Sequence, residues 1–214
     1  MSSAEKQNTI NTKTSALRSK TTQRILTGLV FAPSVILPAV FFHTDIDAAV
    51  LPQNAQEKVL HKALLESPSA VDVKVNCEST MPPGLEGRVR HLAFGVTLPY
   101  VHLSQAVCDE AESYISAKDK NNMSPAQAFS IVAVVHEGAH YTYNDPDERA
   151  TACRAHQLAV PFIASLGASD RAIENFKSYN RDAYFRLGAA YVSNECTAGG
   201  IYDLDPNSAG SFPQ

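Results

Sequence analysis

The chain has 214 residues, 44% of them hydrophobic and 19% charged, with ten Gly, twelve Pro, four Cys and a formal net charge of −4. That composition excludes collagen-like, low-complexity and wholly disordered chains, and the length suits one ordinary domain with appendages. Mild net acidity argues against a general nucleic-acid binder, which carries a basic patch.

Charge and hydropathy are unevenly spread. Residues 1–24 are polar, and set Lys6, Lys13, Arg18, Lys20 and Arg24 against Glu5 alone. Such a stretch buries too little apolar surface to offset its ordering entropy, so disorder is expected. Ile25 to Phe42, ILTGLVFAPSVILPAVFF, follows without a charge. As a helix it would span roughly 27 Å, close to the hydrocarbon thickness of a bilayer. Basic residues upstream predict a cytoplasmic N-terminus and an extracytoplasmic remainder. An uncleaved signal anchor is expected, with secretion after cleavage as the alternative, because Ile46 or Asp47 spoils a small-residue cleavage site before Ala48 and Ala49. The chain thus divides into a tail over 1–24, a membrane segment over 25–42, a linker or stalk over 43–69, and a domain over 70–214.

Cys77, Cys108, Cys153 and Cys196 all follow the apolar segment. An even count outside the cytoplasm reads as two disulfides, and chain order suggests Cys77–Cys108 and Cys153–Cys196 among three possible pairings. Free buried thiols are the alternative.

Ala55 to Leu65 has helical periodicity and reads as an amphipathic stalk. Val71 to Val75 alternates at period two as a half-buried strand, and Val89 to Val96 and Pro99 to Leu103 are two more short candidates. Ser104 starts a helix toward Lys118. Ser124-Pro125 is a cap followed by Pro at the first helical position, opening a buried helix to about Tyr141. Asn144-Asp145-Pro146 repeats that grammar before a helix that carries Pro161 and ends at Gly167, and Ser169-Asp170 caps a third helix running through Val192. The fold class is therefore α+β and helix-rich.

Within the helix after Ser124 stands His136-Glu137-Gly138-Ala139-His140, an H-E-x-x-H motif. Two His at i and i+4 share one helical face and can reach one Zn²⁺, while the intervening Glu can act as general base on an attacking water. An apolar helix holding two His and a Glu is costly unless they are paired or bound to metal. The alternative is a pair of partly exposed histidines with Glu137 in an ion pair. A catalytic zinc usually takes a third protein ligand. Glu148, in the first turn of the next helix, is the candidate, against a reading as an N-terminal acid favoured by the helix dipole. His156 is the runner-up, and Asp147 and Glu195 are weaker candidates. Tyr141, Tyr143, Tyr179, Tyr184 and Tyr191 could include an oxyanion stabiliser. Arg149, Arg154, Arg181 and Arg186 read as substrate clamps or, more simply, as solvated helix faces.

These residues resemble the zincin metallopeptidases, and within them the Glu-type gluzincins, whose third zinc ligand is a Glu on the following helix. Many gluzincins carry an Asp four residues after that Glu; here Ala152 stands there. The stretch HEGAHYTYNDPDERATACRAHQ, with a tail of Cys196, Gly199-Gly200, Asp203-Leu204 and Pro206, also looks like a group of exported actinobacterial proteins. The resemblance implies a small zincin-like domain with a short sheet along the substrate cleft. It also implies zinc-dependent hydrolysis of a peptide or protein substrate, with His136, His140 and Glu148 on Zn²⁺ and Glu137 as the catalytic base. The competing expectations are a catalytically inactive domain that binds a cell-envelope partner, and a binding domain in which the motif is coincidental.

Overall fold

The computed structural model describes residues 52–91 and 97–205. The expected tail and the apolar segment Ile25 to Phe42 lie outside the described residues; among those described, no helix is long and apolar enough to cross a membrane. The described chain is α+β, five helices around a three-stranded sheet, in the order α1 (Ala55–Leu65), β1 (Lys74–Glu78), β2 (Gly87–His91), β3 (Thr97–Ser104), α2 (Gln105–Ser116), α3 (Pro125–Tyr143), α4 (Glu148–Ser165) and α5 (Asp170–Arg186).

Sheet order is β1-β3-β2, with β1 parallel and β2 antiparallel to the central β3. Val75 and Val89 both stand opposite Val101, and Cys77 and Gly87 both stand opposite Leu103. This register puts an apolar row on the helix side, where Val75, Val101 and Leu103 join Leu60, Ile131, Val134, Phe162 and Ile163 in one core. The opposite face carries Asn76, Arg88 and His102, as period-two alternation requires. There Glu78 accepts from Arg88 at 3.0 Å and pairs with His102, a polar network internal to the sheet.

Several sequence expectations shift. The strand expected over Val71–Val75 forms at Lys74–Glu78, and that expected over Val89–Val96 at Gly87–His91, residues 92–96 being outside the described set. Pro99–Leu103 lies inside β3. Ala55–Leu65, expected as a stalk, instead packs into the core through Leu60, Ala63 and Leu64. It begins at a capping box in which Asn54 and Glu57 exchange hydrogen bonds. The helix expected to run through Val192 stops at Arg186, because Leu187 turns extended (ψ 151°) before Gly188.

Both expected disulfides form: Cys77–Cys108 ties β1 to α2, and Cys153–Cys196 ties α4 to the C-terminal segment. Closing sequence separations of 31 and 43, each contributes about 4 kcal/mol by restricting the unfolded chain.

Candidate metal centre

The centre is built on the α3–α4 hairpin. Ser124 caps α3 and Gln127 completes a capping box, with Pro125 at the first helical position. At its other end Asn144 adopts the left-handed conformation (φ 47°, ψ 41°), which Asn tolerates better than most residues, and so closes α3 rather than capping α4. The N-cap of α4 is Asp147, whose carboxylate accepts from Arg149 N at 3.0 Å. A four-residue connection therefore sets Glu148, the first residue of α4, beside the last two turns of α3.

Three side chains converge across this turn. His136 and His140, one helical turn apart, have ring centroids 4.8 Å apart. Glu148 Oε2 lies 3.0 Å from His136 Nε2 and 3.4 Å from His140 Nε2. All three donor atoms fall within 4.8 Å of one another. Donors on one tetrahedral zinc, each about 2.0–2.1 Å from it, stand about 3.3 Å apart, so the two His–Glu separations already match a metal's spacing.

The hydrogen bonds around the cluster fix its protons. His140 Nδ1 lies 2.7 Å from the Asp145 carbonyl, which can only accept, so Nδ1 carries the proton and Nε2 faces Glu148. Thr151 Oγ1 stands 3.2 Å from the same Nδ1 and donates to the same carbonyl. An N–H to a carbonyl on the far side of the ring is the usual support for a metal-ligating His.

Charge follows geometry. Burial holds the His136 imidazole below its ordinary range, against the pull of Glu148. For His140 burial acts the same way but is outweighed by Glu148 and the Asp145 carbonyl, and the ring is raised. Hydrogen bonds from both rings hold Glu148 well below the usual carboxylate range. The site therefore presents an ionised carboxylate and two ring nitrogens to whatever cation enters.

Glu137 points toward the sheet instead. Only 6% exposed, it is pushed by burial up to about 8, the Glu148 charge adding to that effect and His140 opposing it. Its Oε2 is buried and has no hydrogen-bond partner. The β2 backbone lies against it: a Cβ at Gly87 would come within 2.6 Å of Glu137 Cγ and Oε1. A cavity of about 160 Å³ opens here, with Leu85, Gly87, Arg88 and Val89 on one wall and Glu137, His140, Pro146 and Glu148 on the other. The orphaned carboxylate oxygen at the edge of a two-His, one-Glu donor set fits a divalent cation with a water beside it.

The other candidates fall elsewhere. His156, two turns along α4, is 3% exposed; its Nδ1 meets Asn180 Oδ1 at 2.5 Å, and Asn180 returns a bond to the His156 carbonyl. Burial pushes it down to about 4, and it is not part of the convergent group. Asp147 is occupied as a helix cap and by the Tyr202 hydroxyl at 3.1 Å, and Glu195 is exposed in the C-terminal segment. Tyr191 packs toward the ligands, its ring 6.3 Å from that of His136, since the early end of α5 leaves it in a turn. Tyr179 is bonded to the Pro125 carbonyl, Tyr184 is buried against His156, and Tyr143 packs on Arg154. Gly87 was not legible as a site residue, although a glycine inside a strand pattern signals close approach of another group.

No family model, no curated protein and no solved structure matches the chain, so the donor set and its surroundings stand on their own chemistry.

Proposed function

We propose that this chain is a membrane-anchored or exported zinc-dependent metallopeptidase of small zincin type. The observation that carries the reading is the convergence of His136, His140 and Glu148 with Glu137 poised one residue along α3. Zn²⁺ held there would lower the pKa of a water toward 7 and polarise a scissile carbonyl. Glu137 would take the proton of the attacking water and return it to the leaving amine. Tyr191, 39% exposed with its ring 6.3 Å from that of His136, would be the residue to donate a hydroxyl proton to the developing oxyanion. The edge strand β2, antiparallel to β3, runs along the cavity and offers an extended peptide a backbone to pair with. The apolar segment Ile25 to Phe42 and two disulfides support a location outside the cytoplasm.

The test is Glu137→Gln in the full chain: zinc content unchanged, hydrolysis of a protein or mixed-peptide substrate lost. Full activity in that variant overturns the mechanism. One observation favours a second reading, an inactive domain that binds a cell-envelope partner with zinc as a structural element: Glu137 is nearly enclosed and the cavity holds about 160 Å³, little more than a few waters. Zinc bound with no hydrolysis by the unaltered chain would favour it.

A further inference from the structure

Ala152 stands four residues after Glu148, so no carboxylate projects from that turn of α4 to support a ligand. Support for His140 comes instead from the Asp145 carbonyl, in the turn between the helices. A main-chain carbonyl in a turn orients a ring only as well as the turn itself is held. Here both carboxylate oxygens of Asp145 are engaged: Oδ1 accepts from Asp147 N at 2.9 Å, and Oδ2 accepts from Arg154 Nη1 at 2.7 Å.

Arg154 is in turn confined. Its guanidinium lies 4.6 Å from the Tyr143 ring centroid and 5.8 Å from that of Tyr202, and its side chain is 16% exposed. Stacked on two aromatic rings and committed to one carboxylate, it is neither a solvated helix-face residue nor available to clamp a substrate. Tyr202 belongs to the C-terminal segment, which the Cys153–Cys196 disulfide and Gln157 fasten to α4: Gln157 donates to the Tyr202 carbonyl at 2.9 Å and accepts from Leu204 N at 2.8 Å. The Tyr202 hydroxyl also donates to Asp147, the cap directly before Glu148.

We propose that Arg154, clasped between Tyr143 and the C-terminal Tyr202, is a positioning residue of the metal centre: through Asp145 it holds the carbonyl that fixes the proton and orientation of His140. The proposal rests on the metal-binding reading of His136, His140 and Glu148. It makes the C-terminal segment part of the centre's framework, although that segment supplies no ligand.

The test measures zinc affinity of the full chain by competition with a chromophoric chelator, together with the visible spectrum of the Co²⁺-substituted protein and the melting temperature without metal. Arg154→Met is expected to weaken zinc by 10- to 100-fold, the range for loss of a group that supports a ligand, and to change the Co²⁺ bands. Arg154→Lys, which keeps the charge but not the planar stack, falls between. Should Arg154→Met fail to fold, Asp145→Asn decides, since it keeps the bond to Asp147 N and loses the ion pair; about tenfold weaker zinc is expected. A lower melting temperature with unchanged zinc affinity and Co²⁺ spectrum in these variants overturns the proposal alone. Absence of zinc binding by the unaltered chain overturns it together with the metal-binding reading.

Discussion

His140 and His156 sit on the two arms of one helical hairpin, both buried, yet they do opposite things. His140 is held by a carbonyl on one side of its ring and turns the other side to a carboxylate, so its environment favours a positive charge or a cation at Nε2. His156 is bonded to a neutral amide, packs edge-on against Tyr184 and is pushed down to about 4, so its environment favours the neutral ring. Burial alone therefore does not make a ligand. What distinguishes the pair is whether an acid converges on the ring, and the four-residue turn delivers Glu148 to one histidine and not to the other.

The largest expected effect breaks this comparison directly. His140→Ala should weaken zinc binding by a thousandfold or more, whereas His156→Gln should leave zinc affinity within about threefold while lowering the melting temperature. Equal loss of zinc in both would mean that the two histidines share a role. A second effect is in pH. Because the folded state depresses the His156 pKa from 6.5 to about 4, its contribution is complete above pH 6.5 and is lost as pH falls through 4. That shift corresponds to roughly 3 kcal/mol. Denaturant unfolding of the metal-free protein between pH 7 and 4 should show this loss, and His156→Gln should remove that part of it. The smallest effect concerns the far wall: Gly87→Ala must displace the Glu137 carboxylate, at about 1–3 kcal/mol of stability. Hydrolysis should fall at least tenfold with zinc content unchanged; unaltered hydrolysis would show that Glu137 has room the packing denies.

What was readable in the chain was local. The i, i+4 spacing of His136 and His140 and the Ser124 and Ser169 caps depend on residues near one another in sequence, and the disulfide pairing follows the order of the cysteines along the chain; each appears as read. Two local signals are ambiguous. Asn144 suits both an N-cap and a left-handed C-cap, and only the hairpin's closure decides between them. Apolar residues continue past Arg186, so periodicity extends the helix to Val192, whereas its end at Arg186 is what sets Tyr191 beside His136. Other side-chain contacts between distant segments follow from no local spacing. Gly87 against Glu137, Leu60 in the core, and Tyr202 over Arg154 are products of tertiary packing.

All of this turns on whether the convergent donors hold a metal. The deciding measurement is the zinc content of the full chain purified without chelator, beside Glu148→Gln prepared identically. About one zinc per chain, sharply reduced in Glu148→Gln, is the expected result; no zinc in the unaltered chain, or undiminished zinc without the Glu148 carboxylate, would contradict it.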